Sequence, residues 1–503
     1  MVAPADPKLP RLPLPRLPDG SPLEDLEAER PGRVRRRSFH VTLDRFLAWS
    51  GRRWPIGTVF EEVPDGRDRR RLTIPLAAIL KAGLCMFVLQ LGSVLKLDQL
   101  LADSPVAFRT LLGLPRGQGI SDDAFADALQ ASGPRMLRPL LSIMGTRELQ
   151  RWKTGRYRQA VLPRRILAIS PHHHWLASRV VVAVDGHELF ADEHHHCPRC
   201  LTRKKTKKVH GQEVEVVEYY HRAVVAQLVG THPATVLEFE ELRPGDNELK
   251  AAYRLMIKLG RLYGQQIDIL VADALYDGEP FRALCRKLGY HWVTRQRNEG
   301  IDPGRSFRNA LAKRDPELQG PDVRYLERHS HRSYEVWEEA SEGYRFIYAR
   351  RTTPPPARTV SEGAQQKGAE ARKPAVHQGA CMTNLPADTA PAVAVAMVME
   401  ARWGIENTGF HELATAWKLD RPYVHAHRSV AVTVILILAF VAYNAVQSFF
   451  YRELGISADR PERTVGAICM LLLASIGALR GVNAAWSHDA GAAPPTGAPG
   501  PGP

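Results

Sequence analysis

A chain of 503 residues has room for two or three domains, and a 44% hydrophobic content excludes wholesale disorder. The 68 Lys and Arg outnumber the 54 Asp and Glu by a net charge of +14, which favours a polyanionic partner, nucleic acid first and an anionic membrane second. Six cysteines at this length exclude a disulfide scaffold.

Residues 1–39 are rich in proline and charge and lack a basic-then-apolar leader pattern. They are expected to be a disordered tail on a chain that is not secreted. Arg33, Arg35, Arg36 and Arg37, and then Arg67, Arg69, Arg70 and Arg71, form basic clusters that suit phosphate contact or a solvated surface equally well. From Ile74 to Leu101 the apolar spacing is helical, and Ser121-Asp122-Asp123 resembles an N-cap opening a helix that runs toward Leu141. Residues 40–165 therefore form a helical N-terminal domain, a candidate for DNA binding.

The character changes near Arg179. Val180-Val181-Val182-Ala183-Val184 suits a strand buried on both faces, and it ends in Asp185-Gly186. Tyr219 to Val229 and Thr235 to Glu241 read as two further strands. Pro244 to Asn247 marks a turn into a helix ending near Tyr263. Ile267 to Ala272 is a strand leading into Asp273, followed by a helix over Glu279 to Leu288 and a strand over His291 to Thr294. Strands followed by alternating helix and strand indicate an α/β domain. Residues 296–395 break that rhythm. Arg324 to Arg351 alternates as β-hairpins do, and Pro354-Pro355-Pro356 opens a polar linker, so this block reads as a β-rich insertion with a flexible linker. Helix returns over Ala396 to Leu419, so 178–295 and 396–485 would make one core, and 486–503 is expected to be a disordered tail. Val430 to Val446 and Val465 to Leu479 are strongly apolar. A membrane-spanning helix wants about 20 apolar residues, and both runs are more simply buried helices, so no membrane is expected.

Asp185 and Asp273 each follow a buried strand, where α/β sheets gather their ligands. Glu406 lies on a helix within Arg402-Trp403-Gly404-Ile405-Glu406-Asn407. Each is ordinary alone, as a strand-end cap or a surface charge. Three converging carboxylates would repel unless they held cations, and all-oxygen ligands select Mg²⁺ or Mn²⁺, two ions suiting a phosphodiester displacement.

The segments VVVAVDGHELF around Asp185, ILVADALYDGEPF around Asp273 and EARWGIENTGFHELATAWKLDR around Glu406 together resemble insertion-sequence transposases of the DDE class, in the group with a β-rich insertion inside an RNase H-like fold. The long gap between Asp273 and Glu406 is the one that the insertion requires. That group carries a Tyr-x2-Arg-x3-Glu-x6-Lys signature, which Arg402 and Glu406 match. The Tyr position holds Met399 and the Lys position holds Leu413, with Lys418 five residues further on, which suggests a subgroup. The resemblance implies that Asp185, Asp273 and Glu406 hold two Mg²⁺ or Mn²⁺ ions. A metal-activated water would free a 3′-OH at the element's end, and that hydroxyl would attack target DNA. It also implies transposon-end and target DNA as partners, a homodimer in a synaptic complex, and a cytoplasmic, nucleoid-associated place in a bacterial-type cell. The alternatives are an RNase H-like nuclease without transposition and a domesticated, inactive DNA-binding protein.

Arg402, one helical turn before Glu406, could grip a phosphate or pair with Glu406 at i,i+4. Trp403 and Trp417 could stack on bases, although core packing is the simpler reading of both, and His187 suits a structural role as well as one near the metals. His194-His195-His196-Cys197-Pro198-Arg199-Cys200 precedes Arg203-Lys204-Lys205-Thr206-Lys207-Lys208 and then His221. Cys197, Cys200 and His221, with one of the three preceding histidines, have the spacing of a structural zinc clip or of two reduced thiols in a polar loop. Lys204, Lys205, Lys207 and Lys208 are candidate phosphate contacts or a solvated run. Cys85, Cys285, Cys381 and Cys469 stand among apolar neighbours and read as buried thiols.

Overall fold

Val181-Val182-Ala183-Val184 is buried throughout and opens strand β1 (Val181–Asp192). Its β-branched side chains suit a strand covered on both faces. In the computed structural model the described residues are 41–68, 70, 72–115, 117–153, 161–169, 172–209, 211–296, 321–327, 330–341, 343–355, 373–424, 428–456 and 464–479. The expected terminal tails, the Arg33–Arg37 cluster, Arg69, Arg71 and most of the polar linker lie outside them.

The chain divides into two compact units. One comprises 145–187 and 222–411, and the other 34–144, 188–221 and 412–503. In the first, β1 pairs in parallel with β5 (Ile269–Ala272), and β5 pairs in parallel with β6 (His291–Arg295). β3 (Gln212–Leu228) neighbours β1 and pairs antiparallel with β4 (Thr235–Glu241), with a register shift at Ala226/Gln227. The helix Glu248–Tyr263 connects β4 to β5. Asn247 caps it, its side chain accepting from the Lys250 amide as a turn residue before a helix should. Gly289, with φ of 75°, ends the helix Glu279–Leu288 in the left-handed geometry that glycine favours.

The β-rich block does not stand apart from the core. β10 (Ala375–Thr383) pairs antiparallel with β6, Cys381 opposite Arg295, and then come β9 (Tyr344–Thr353), β8 (Ser333–Ser341) and β7 (Val323–Leu326). Joining β6 in this way covers what would otherwise be an exposed strand edge. The helix Ala392–Ala401 packs on β6, β8 and β9 and on the helix Val161–Ile169.

The second unit is built around two helices buried on every side, Leu76–Val88 and Ser429–Ser448. A helix apolar all round has to be enclosed. Ser429–Ser448 packs on Leu76–Val88, on Asp122–Ala131 and on Pro134–Leu137. Gly83 makes this approach possible, because a Cβ there would meet Leu438 and Phe125 at 3.1 Å. Ser429–Glu453 is long and apolar enough to cross a membrane, yet 89% of its most apolar 18-residue window is enclosed within the protein. Burial accounts for its composition, as the sequence suggested. These apolar residues pack with the N-terminal helices, whose apolar faces they complete. Ser121 caps Asp122–Ala131 where the sequence placed a cap. β2 (Leu201–Val209) forms a hairpin with the first half of β3 in this unit.

Candidate active site

The parallel register Val184↔Ala272 sets Asp185 and Asp273 side by side where β1 and β5 adjoin. Neighbouring strands run about 4.8 Å apart, so two carboxylates meet there by backbone pairing alone. Asp185 is 9% exposed. Burial is the main cause that pushes its carboxyl up to about 7; Arg402 opposes the shift, and Asp273 and Glu406 add to it. Its Oδ1 accepts from the Gly186 amide at 2.9 Å. Asp273 is half-buried, and its Oδ1 accepts from the Leu275 amide at 2.8 Å, which fixes the carboxylate on the turn after β5.

Glu406 arrives from the helical segment that continues Ala392–Ala401. Its own stretch, Ile405–Phe410, is π-helical, the widened turn found at many functional sites. Arg402 is 2% exposed and joins the carboxylates: Nη1 donates to Asp185 Oδ2 at 3.0 Å and to Glu406 Oε1 at 2.5 Å. The i,i+4 pair to Glu406 is present, and the same nitrogen also reaches Asp185. Arg402 thus ties Asp185 to the half-buried Glu406, with the half-buried Asp273 beside Asp185.

Behind Asp185 stands Glu248, buried at the first turn of its helix. It accepts from the Tyr276 hydroxyl at 2.8 Å and pairs with Arg222 at 2.5 Å. A Cβ on Gly186 would lie 2.3 Å from the Glu248 carboxyl carbon, so glycine is what lets that carboxylate lie against the strand. Tyr276 feels Asp185 and Asp273 electrostatically, and burial raises its hydroxyl well above the usual range. Sequence reasoning missed Glu248 and Tyr276. The available signal was a glutamate directly after Pro-Gly-Asp-Asn and a tyrosine three residues past Asp273.

The family model of the transposase DDE domain matches residues 176–445, more than half the chain, and spans all three carboxylates and Arg402. The chain belongs to the DDE transposases. No curated protein matches the transposase.

Two aromatic side chains of the transposase part company. Trp417 is buried and meets Tyr443 edge-on, as core packing requires. Trp403, next to Arg402, is 44% exposed, with the Arg402 guanidinium 4.8 Å and that of Arg295 6.0 Å from its ring centre. It borders a cleft of 680 Å³ that also presents Arg165, Arg332, Arg351, His232 and His377. Arg165 and Arg351 both pair with Glu400, at 3.3 and 3.0 Å. His187 stacks on Phe410 at 4.4 Å, a packing role.

In the other unit, the basic residues of β2 face glutamates. Lys204 pairs with Glu215 at 2.7 Å, Lys205 with Glu218 at 2.8 Å and Lys207 with Glu193, while Lys208 is exposed. Arg203 pairs with Glu188 and Glu218. Cys197, Cys200 and His221 come together in a buried cluster. Cys85, Cys285, Cys381 and Cys469 are buried as free thiols, in line with their apolar neighbours.

Proposed function

We propose that this transposase cuts DNA at the ends of a mobile element and joins the freed 3′ end to target DNA, using Asp185, Asp273 and Glu406 in an RNase H-like core. The observation that carries the reading is the pairing of β1 with β5, which makes Asp185 and Asp273 neighbours, together with Arg402 linking Asp185 to Glu406. The order β4-β3-β1-β5-β6, antiparallel between β3 and β4 and parallel from β1 to β6, supports the RNase H-like core.

The donor set fits divalent Mg²⁺ or Mn²⁺. Asp185 and Glu406 share a single guanidinium while Asp273 adds a further carboxylate beside Asp185, burial already disfavours charge on Asp185, and all the donors are hard oxygens. Asp185, Asp273 and Glu406 would hold the ions, which supply charge stabilisation for the attacking and leaving oxygens of a phosphodiester displacement. The remaining roles fall to the chain's own groups. Arg402 has Nη1 committed to the two carboxylates, and among the described residues its buried Nε has no hydrogen-bond partner, so a phosphate oxygen is a fitting acceptor. Trp403 offers an exposed ring beside it, and Arg165, Arg295, Arg332 and Arg351 line a cleft whose charge suits a nucleic-acid strand. Glu248, Tyr276 and the Leu275 amide hold the aspartates in place.

The lysines of β2 are proposed to touch phosphates. Lys208 is exposed and the Lys204–Glu215 pair is solvent-exposed on both sides, and such a pair is worth only about 0–1 kcal/mol, so an incoming phosphate can displace it. Joining two DNA ends calls for a homodimer in a synaptic complex.

The test is a product assay with supercoiled target and a duplex carrying the element's end in Mg²⁺. Joined end–target molecules support the reading. Nicks without joints would make the protein a nuclease, and DNA retention without nicks would make it a binding protein.

A further inference from the structure

Three metal-ligating atoms meet at the root of the β2–β3 hairpin. Cys197 Sγ lies 3.3 Å from His221 Nε2, Cys200 Sγ lies 3.4 Å from the same nitrogen, and the two sulfurs are 3.6 Å apart. All three side chains are buried. A tetrahedral zinc ion, with bonds of about 2.3 Å to sulfur and 2.0–2.1 Å to nitrogen, sets its ligands about 3.8 Å apart for sulfur–sulfur and about 3.5 Å for sulfur–nitrogen. The observed triangle matches one face of that tetrahedron to within the ~0.2 Å that a real site allows. It is far too wide for a disulfide, whose sulfurs lie about 2.05 Å apart.

Backbone amides point at both sulfurs. The Cys197 amide donates to Cys200 Sγ at 3.1 Å and the Arg199 amide donates to Cys197 Sγ at 3.4 Å. Amide donors aimed at sulfur stabilise negative charge there, and a metal ligand must carry it. The His221 ring is set against Phe190, 5.2 Å between centroids.

We infer that Cys197, Cys200 and His221 bind one structural Zn²⁺, the fourth position being left to water, since His194, His195 and His196 are exposed, His195 meets Asp192 and His196 stacks on Tyr219. Thiolate and imidazole donors select zinc over Mg²⁺ or Mn²⁺, so this centre is chemically separate from the carboxylates. Its work is mechanical. Cys200 and His221 immediately flank the first hairpin pair, Leu201↔Tyr220. The hairpin beyond has charged, exposed faces, and a two-stranded hairpin alone is marginal in water. Closing its root with a metal clip fixes the register that sets Lys204 and Lys205 near Glu215 and Glu218 on β3.

The test does not depend on DNA chemistry. The full-length protein, purified without added metal and dialysed, is analysed for metal. It is then reconstituted with Co²⁺ and its absorption recorded. About one zinc per chain is expected, released by a thiol-specific mercurial. The Co²⁺ form should show thiolate-to-metal charge transfer, and Cys197→Ser/Cys200→Ser should lose both signals. Zinc removal should also speed proteolytic cleavage within residues 201–220. Wild-type protein without zinc and without a charge-transfer band overturns the inference, as does unchanged zinc in the double variant. If the double variant fails to fold, the wild-type stoichiometry and Co²⁺ spectrum decide alone.

Discussion

Gly186→Ala tests how tightly Asp185 is supported. The new methyl carbon would sit 2.3 Å from the carboxyl carbon and from Oε2 of Glu248, and 2.6 Å from its Oε1. Ordinary contact needs about 3.4 Å or more, so either Glu248 or strand β1 has to move by about 1 Å. Glu248 is not free to swing, because Tyr276 donates to it and Arg222 pairs with it inside the protein. Giving up that buried bond and part of that ion pair costs on the order of 2–4 kcal/mol. If β1 moves instead, Asp185 is displaced, and a shift of that size at a reacting centre can cost ~100-fold in rate. Urea denaturation with parallel nicking assays reads both outcomes: the variant should lose stability, or nicking, or both. Gly186→Ala/Glu248→Ala should recover part of the loss, because the obstructing carboxylate is gone. A Gly186→Ala protein with wild-type stability and wild-type nicking would refute the close packing of Glu248 on this strand.

Three further expectations follow from the geometry. Glu412 is half-buried, and this burial pushes its carboxyl up to about 7, opposed by the hydrogen bond from Gln447 at 2.7 Å. A raised folded-state value means that its stabilising, protonated form is fully present below the unfolded value near 4.5 and is lost as pH rises through about 7. Glu412→Gln should therefore raise Tm at pH 8, by at most about 3 kcal/mol of stability, and change little near pH 4; equal effects at both would show that charge is not the cause. Replacing Lys204, Lys205, Lys207 and Lys208 by alanine should lower the slope of log affinity against log salt by up to about 0.9 for each phosphate that a lysine no longer neutralises, and an unchanged slope removes these lysines from the interface. Gly83→Val would press a side chain into Leu438 and Phe125 and should cost about 1–3 kcal/mol in thermal or urea denaturation, whereas a neutral result would mean that the two central helices are loosely packed.

Asp273 was legible in the sequence because it follows the short buried strand β5, and strand ends are where α/β sheets place their ligands. Asp185 was expected at a strand end too, but β1 continues to Asp192, so Asp185 lies within the strand, just past the last pair with β5. Glu406 was legible only through its family-like helix. Its π-helical turn was not, since the poor helix formers Asn407-Thr408-Gly409 mark an irregular stretch without saying which form it takes. Arg402 was read as a choice between a phosphate and Glu406; its contact with Asp185 depends on tertiary placement that i,i+4 spacing does not reveal. Glu248 stayed hidden for the same reason, as it is remote in sequence from the strand it supports. The alternating pattern of 324–351 announced strands but not their partner, because pairing with β6 is a long-range choice. The apolar C-terminal helices announced burial but not which surface would bury them.

The central claim is that Asp185, Asp273 and Glu406 act as one metal-holding centre. Its most direct test compares Mg²⁺-dependent nicking of end-containing DNA by the wild type with that by Asp185→Asn, Asp273→Asn and Glu406→Gln, each checked for DNA retention at the same salt. Each substitution removes a charge with little change in shape, so nicking should vanish in all three while DNA retention stays close to wild type. Wild-type nicking by any one of them would strike that residue from the centre.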